Sequence, residues 1–367
     1  MSYGLAMVAT GMGVAVACAL LGTFLVLRRM AMVADAISHA ILPGLVAGYW
    51  LAHGPSLAAG LAGAVASALL MVGCVALLTR SGRVASDAAI GLVFPALFAL
   101  GTVLVTRFFS DVHLDADAIL YGNIEFAGLE LWRWGGLSLG PRPVWVGGAL
   151  AALNLALVTG LYKELKVSTF DPGLAAAVGL APVVVQAALM AAVAVTAAGA
   201  FSAVGAVLAV AFFIVPAATA FLWTDRLPRM IALSAAFGAA GAVLGFAAAV
   251  RWDTSVAGAM ATATGVVFGA SWLVAPHGGL IPSARRRARQ RLRFAAETLA
   301  VHLATHAGAP DEAVESAVAH LGEHLRWSDA WAAAVVADAV RRGWVVRDNG
   351  RLRLTEAGRA VPRAAGR

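Results

Sequence analysis

Asp35 and His39 stand four residues apart in Asp35-Ala-Ile-Ser-His39-Ala-Ile-Leu-Pro43-Gly44, within an apolar run. On a helix, positions i and i+4 share a face, so one carboxylate and one imidazole can reach the same cation. Pro43 adds a third element. Its ring clashes with the carbonyl of residue i−4, which is His39, and would free that oxygen for an ion. Carboxylate, imidazole and carbonyl together suit manganese, ferrous iron or zinc, and the lack of a nearby thiolate argues against copper(I). An ionisable group inside a membrane span costs on the order of 3 kcal/mol or more, so its presence there points to function. The residues alone leave a second reading open, in which Asp35 and His39 pair with each other or with a neighbouring helix for structural reasons.

Three other clusters carry candidate chemistry. Residues 108–143 hold Asp111, His113, Asp115, Asp117, Glu125 and Glu130. The first four could gather cations at an entrance, although such a run also fits a solvated face. Residues 167–181 contain Asp171 and Thr169, either of which could cap a short helix with Pro172 in its first turn and Gly179 near its end. Near the C-terminus, His302 and His306 are spaced i, i+4, as are His320 and His324, with Glu323 beside them. Two such pairs could form a cytoplasmic metal sensor; partly exposed helix faces would explain them without any metal.

These residues sit in a chain whose composition excludes most soluble classes. Of 367 residues, 61% are apolar and only 13% charged, about half the usual charged share of ~25%. Mean hydropathy is +0.83. The charge is split: residues 1–280 carry 12 Lys+Arg and 11 Asp+Glu, whereas residues 281–367 carry 15 and 9. That places a boundary near Ile281-Pro282-Ser283 and gives three segments: a membrane domain over 1–280, a basic juxtamembrane linker over 281–293 and a cytoplasmic domain over 294–367. The two cysteines, Cys18 and Cys74, lie in apolar runs, which excludes a disulfide framework, and no Cys/His array suggests a zinc ribbon. The N-terminus lacks a basic n-region, and its apolar run is too long for a signal peptide.

Apolar windows give nine candidate spans, at 4–27, 33–52, 57–78, 88–106, 144–162, 182–199, 201–223, 230–250 and 256–274. The break between the sixth and seventh, at Gly199-Ala-Phe-Ser202, is short, so eight or nine spans are expected. Their Ala, Val, Leu and Gly content points to helices rather than barrel strands. Small residues, as in Gly60-Leu-Ala-Gly63-Ala-Val-Ala-Ser67, let helix backbones approach closely. With the N-terminus outside, inner loops carry Arg28, Arg29, Arg80, Arg83, Lys163, Lys166, Arg226 and Arg229, against Arg107, Arg133, Arg142 and Arg251 outside. That asymmetry favours an outside N-terminus and an inside C-terminus. The only lysines, Lys163 and Lys166, follow Tyr and Leu, so the chain lacks the Gly-Lys-Ser/Thr of a P-loop and is not expected to hydrolyse ATP by that mechanism.

Several pieces of the sequence, in order, resemble the membrane permeases of metal ABC transporters for manganese, zinc and iron. They are Leu27-Arg-Arg through Asp35, His39 and Pro43-Gly44; Asp87-Ala-Ala-Ile-Gly91; Ser168-Thr-Phe-Asp171-Pro172; Phe213-Ile-Val-Pro216-Ala-Ala-Thr219-Ala; and Asp253-Thr-Ser-Val-Ala-Gly258. The resemblance implies an all-α polytopic permease of the type II ABC importer kind, in a bacterial cytoplasmic membrane. It implies a second permease copy or paralogue, two cytoplasmic ATPase subunits and an extracytoplasmic metal-binding lipoprotein. Asp35 and His39 would belong to the intramembrane metal site. Ser168, Thr169, Phe170, Asp171, Pro172 and Gly179 would lie in the helix that couples to the ATPase. Manganese, iron or zinc would be cargo, with no permanently bound cofactor. The acidic run with Leu120-Tyr-Gly122-Asn resembles the manganese/iron branch more than the zinc branch. Pro95, in Gly91-Leu-Val-Phe94-Pro95, departs from the small or hydroxyl residues expected there, so no ligand is carried over to that helix.

The C-terminal segment reads as helices over 290–307, 311–325 and 328–342, with Ser328 capping the third. A hairpin follows at Trp344 to Leu354, turned by Asn349-Gly350. From His324-Leu-Arg-Trp-Ser328 to Leu354-Thr-Glu-Ala-Gly358-Arg it resembles the winged-helix domain of iron- and manganese-dependent repressors, a small α+β fold. The presumed reading helix begins Ser328-Asp-Ala-Trp, without Arg, Asn or Gln at base-contacting positions, which disfavours DNA as a partner. The six arginines of Arg285–Arg293 favour anionic lipid, about 1 kcal/mol each near a surface. Two alternatives to the permease reading remain: a proton-coupled secondary transporter that uses Asp35 and His39 as a relay, and a membrane-anchored transcription regulator.

Overall fold

The computed structural model describes residues 2–54, 57–80, 82–108, 124–129, 131–134 and 137–365. They form two compact units, Met1–Gly279 and Leu280–Arg367. In the first unit the helices are α1 (Tyr3–Leu27), α2 (Ala31–Ala40), α3 (Leu42–Leu51), α4 (Leu57–Arg80), α5 (Ser86–Phe108), α6 (Arg142–Gly160), α7 (Tyr162–Phe170), α8 (Pro172–Ala177), α9 (Pro182–Val204), α10 (Ala206–Trp223), α11 (Leu227–Trp252) and α12 (Val256–Val274). Among the described residues, nine stretches are long and apolar enough to cross a membrane, with α2 and α3 together making one of them.

Helix α1 is apolar on every side, and a helix of that kind belongs in an interior. Val14, Ala15, Ala17, Cys18, Ala19 and Leu21 have no exposed surface, and α6, α9, α10 and α11 pack around the helix. Lipid tails are as apolar as leucine, so close packing and buried hydrogen bonds hold such helices together. A Cβ on Gly22 would overlap the Phe213 carbonyl of α10, and one on Gly63 of α4 would overlap the Gly44 carbonyl of α3. The small residues noted at 60–67 therefore mark a true backbone contact. Polar side chains add to it. Asn154 Nδ2 on α6 donates to the Ala17 carbonyl at 3.0 Å and to Thr196 Oγ1 on α9 at 2.9 Å, and Ser234 Oγ on α11 donates to the Ala19 carbonyl.

Two expected boundaries move. The helix that begins at Pro182 runs through Gly199 and Ser202 to Val204, and the Ser202 hydroxyl turns back onto the Gly199 carbonyl within the turn. The break comes at Gly205, with φ 83° and ψ 167°, a conformation that glycine adopts without steric penalty. The span at 31–51 is interrupted at Ile41, two residues before Pro43. Backbone N–H groups of that turn donate to the Ile37 and His39 carbonyls. The His39 carbonyl is thus not freed, contrary to the expectation from Pro43, because the helix ends before the ring and closes with a tighter turn.

Outside the spans, β1 (Leu131–Trp134) and β2 (Leu137–Pro141) pair antiparallel. A single 3-10 turn at Ile124–Phe126 ties helix starts together. The Tyr3 hydroxyl donates to the Glu125 carbonyl, and Glu125 Oε1 accepts the Val256 N–H at 3.1 Å. Glu125 therefore supplies the N-terminal cap of α12 that Ser255 does not.

The second unit comprises α13 (Leu280–His306), α14 (Glu312–Glu315), a 3-10 turn (Val318–His320), α15 (Leu321–His324), α16 (Asp329–Arg341), the hairpin β3 (Val345–Asp348) and β4 (Arg351–Leu354), and α17 (Glu356–Ala365). It has its own core, with Ala296, Leu299, Val335, Ala339 and Val345 buried. Ser328 Oγ caps α16, and Asn349-Gly350 turns the hairpin with both residues at positive φ, as expected. Residues 281–293, expected as a basic juxtamembrane linker, are helical; Arg and Ala favour helix, and the Arg293–Glu297 pair supports the face. One reading is corrected here. The helix expected at 311–325 is broken in the middle, because residues 316–318 pair with the hairpin edge. Leu352 N–H donates to the Ser316 carbonyl at 2.8 Å, Val318 N–H donates to the Gly350 carbonyl at 3.3 Å, and Ala317 bridges Arg351.

Candidate functional site

Asp35 and His39 lie on one face of α2, with Asp35 Oδ1 3.8 Å from His39 Nε2. That is too long for a hydrogen bond. It is close to the roughly 3.4 Å that separates two ligands each about 2.1 Å from a tetrahedral ion. Asp35 keeps 47% of its side-chain surface and His39 32%, so the pair is open rather than sealed in the core. From α5, the Phe94 and Phe98 rings approach the imidazole with centroids at 5.6 and 5.5 Å, Phe98 edge-on. The helix from which no ligand was carried over thus supplies the apolar walls that orient His39. Among the described residues, no further imidazole, carboxylate or thiol joins the pair to make a group of three. This chain thus brings two groups of metal-ligating type together at this point.

The candidate entrance residues Asp111, His113, Asp115 and Asp117 lie outside the described residues.

The segment expected to couple to an ATPase forms an elbow of two helices rather than one. Ser168, Thr169 and Phe170 make the last turn of α7. Asp171 then breaks the helix and caps α8 by accepting the Leu174 N–H at 2.9 Å, so Asp171 and not Thr169 is the cap. Pro172 occupies the first position of α8, and Gly179 follows it at φ 83°. Phe170, Leu174 and Val178, four residues apart, are each more than half exposed.

A connection that the sequence reading missed joins α1 to this elbow. Arg28, immediately after α1, donates through Nη2 to Ser168 Oγ at 2.8 Å and through Nε to Thr169 Oγ1 at 3.1 Å. Burial lowers its pKa from the ordinary value, yet an arginine stays charged. The only signal in the sequence was a basic pair ending a span and a Ser-Thr pair 140 residues later, which no local rule links.

Span-length helices packed through small residues, with buried polar links between them, define a polytopic α-helical membrane protein. Residues 3–275 match the ABC 3 transport family, and the chain belongs to that family. It is 41% identical over 286 residues to the manganese transport system membrane protein MntD of Bacillus subtilis, covering 78% of this chain and 97% of that protein. It is 43% identical over 351 residues to the zinc transport system membrane protein TroD of Treponema pallidum, covering 96% of this chain and 95% of TroD. The TroD match therefore extends through most of the second unit. Among solved structures, PsaBC from Streptococcus pneumoniae in complex with Fab matches with a TM-score of 0.63 and 28% identity, covering 76% of this chain and 94% of that one.

Proposed function

We propose that this chain is the permease subunit of an ATP-driven importer of divalent metal, with manganese the first candidate cargo and iron or zinc the others. The observation that carries the reading is the Asp35–His39 pair, 3.8 Å apart on a span-length helix, in a chain of this family whose relatives are named for manganese and zinc transport. Asp35 and His39 hold the ion in mid-passage. Phe94 and Phe98 restrict the imidazole, and a second permease copy or paralogue completes the ring of ligands around the open face. An extracytoplasmic lipoprotein delivers the ion, with Asp111, His113, Asp115 and Asp117 gathering it at the entrance. The N-terminus faces outside a bacterial cytoplasmic membrane.

ATP hydrolysis belongs to a separate subunit, which seats the elbow at Ser168–Gly179 through Phe170, Leu174 and Val178. Arg28 transmits its movement to α1. Residues 1–280 form the permease domain and 294–367 a cytoplasmic domain of winged-helix type, supported by the order of helices and hairpin in that unit. The arginines between them meet anionic lipid.

The test is metal uptake into proteoliposomes that contain the reconstituted complex, with Asp35→Ala and His39→Ala beside wild type. ATP-driven Mn²⁺ uptake is expected to disappear in both variants while ATPase assembly survives. Normal transport by both would make the pair structural, and uptake driven by a proton gradient without ATP would replace the importer with a secondary transporter.

A further inference from the structure

Four imidazoles surround one buried carboxylate in the second unit. Glu315, at the end of α14, keeps 11% of its side-chain surface. Its Oε2 lies 3.3 Å from His302 Nε2 and 3.5 Å from His324 Nδ1, and its Oε1 lies 3.3 Å from His320 Nε2. Oε2 is buried yet accepts no hydrogen bond. A carboxylate oxygen in that condition carries a desolvation cost that a cation offsets. The rings of His302 and His306 stand 4.9 Å apart, and those of His302 and His324 5.1 Å apart. One ligand atom from each of His302, His306, Glu315 and His324 can be chosen so that all four lie within 4.8 Å of one another.

We infer that His302, His306, Glu315 and His324 form a binding site for a divalent transition-metal ion of the zinc and cobalt class, distinct from the Asp35–His39 pair. Three neutral imidazoles and one carboxylate match the borderline ions and not magnesium or calcium, which take oxygen shells. The outer partners fit as well. His306 Nδ1 sits 2.9 Å from Asp311 Oδ2, which leaves Nε2 for the ion and sets up the carboxylate–histidine–metal arrangement that orients ligating imidazoles. His320 holds the second carboxylate oxygen and lies just outside the set of four. Burial lowers the His302 pKa, His306 and His324 act in the same direction, and the Glu315 carbonyl 3.2 Å from Nε2 and the Glu315 carboxylate oppose the shift. The ligands must close by about 1.5 Å at the widest pair to reach tetrahedral spacing. His324, about half exposed, can supply that movement by rotation.

The four ligands come from three elements. His302 and His306 share the last two turns of α13, Glu315 ends α14 and His324 ends α15. A bound ion therefore fastens the segment 312–324 onto α13. The middle of that segment also pairs with the hairpin edge through Ser316 and Val318, so the ion fixes the hairpin edge too. The other reading of the same geometry is a set of histidine–glutamate contacts that needs no ion.

The full chain purified in detergent, carrying Asp35→Ala and His39→Ala to silence the intramembrane pair, is titrated with Co²⁺. Visible absorption reports four-coordinate geometry, and Zn²⁺ is the competitor. One Co²⁺ per chain is expected, with the intense bands of a tetrahedral site that Zn²⁺ abolishes. Adding His306→Gln and His324→Gln, both at partly exposed positions, is expected to weaken binding at least tenfold and to erase those bands. Hydrogen exchange in residues 307–324 is expected to slow with metal in the parent and not in the variant. Absence of stoichiometric Co²⁺ binding in the parent would overturn the inference, as would the same affinity and spectrum with His306 and His324 replaced. Because Asp35 and His39 are absent throughout, failure here leaves the transport reading untouched.

Discussion

Arg28 gives the most direct test of how the elbow is held. Its guanidinium makes two hydrogen bonds, at 2.8 and 3.1 Å, to the hydroxyls of Ser168 and Thr169. A hydrogen bond to a charged group contributes about 1.5–3 kcal/mol net in general. The side chain is half-buried, so the low end applies and the pair together stabilises the end of α7 by about 2–3 kcal/mol. Arg28→Ala removes both bonds, and Arg28→Lys restores charge but offers no planar fork to reach two acceptors at once. At 1.4 kcal/mol per tenfold, local opening of α7 and α8 should become roughly 30- to 150-fold more frequent. Hydrogen exchange followed by mass spectrometry on peptides covering residues 162–178 reads this directly, with peptides of α11 and α12 as internal reference. Arg28→Ala should show the full acceleration, Arg28→Lys an intermediate one, and Arg29→Ala little change. Exchange in 162–178 within twofold of wild type for Arg28→Ala would refute the anchoring role. If the elbow seats an ATPase, the same variant should also transport less metal per ATP hydrolysed.

Other consequences are equally concrete. Gly63→Leu should lower the thermal midpoint of the detergent-solubilised protein by several degrees, because its side chain meets the Gly44 carbonyl; Gly73→Ala, at a position with open space around it, should be neutral. Asn154→Ala and Thr196→Ala should each cost about 1 kcal/mol. A double-mutant cycle from their unfolding in mixed detergent should be non-additive, since they share one hydrogen bond. In the native protein a maleimide should label Cys74, which is half-buried, and spare Cys18, which has no exposed surface; labelling of both at equal rate would contradict the central placement of α1.

The spans were legible because membrane helices obey a length and composition rule that needs no tertiary information. Asp35 and His39 were legible for a related reason: charge is rare in an apolar run, and i, i+4 spacing is local. What local reading missed depends on distant partners. Nothing near Ala317 predicts that residues 316–318 leave a helix to pair with β4, since strand pairing across more than 30 residues is decided by the hairpin edge and not by propensity. Glu315 went unnoticed because only folding brings residue 315 beside His302, His320 and His324. The expected release of the His39 carbonyl failed for a subtler reason. The proline rule assumes an unbroken helix, and here the helix stops at Ile41 before the rule applies.

If an ion rests at Asp35 and His39 as proposed, the openness of the pair sets a time scale. An ion captured at about 10⁸ M⁻¹s⁻¹ by a site with Kd near 1 nM would stay for roughly 10 s, whereas one with Kd near 1 μM would leave in roughly 10 ms. Nanomolar capture calls for a full cage of side chains, and the carboxylate and imidazole that this chain supplies 3.8 Å apart are only half of a four-ligand shell. On the proposed reading, such a half-shell would act as a stepping stone in a crossing once the second copy's ligands draw away: firm enough to tell a transition metal from the abundant alkali ions, too loose to detain it. Adding a third strong ligand on α5, for instance at Phe94, would be expected to tighten binding and slow turnover in the same stroke.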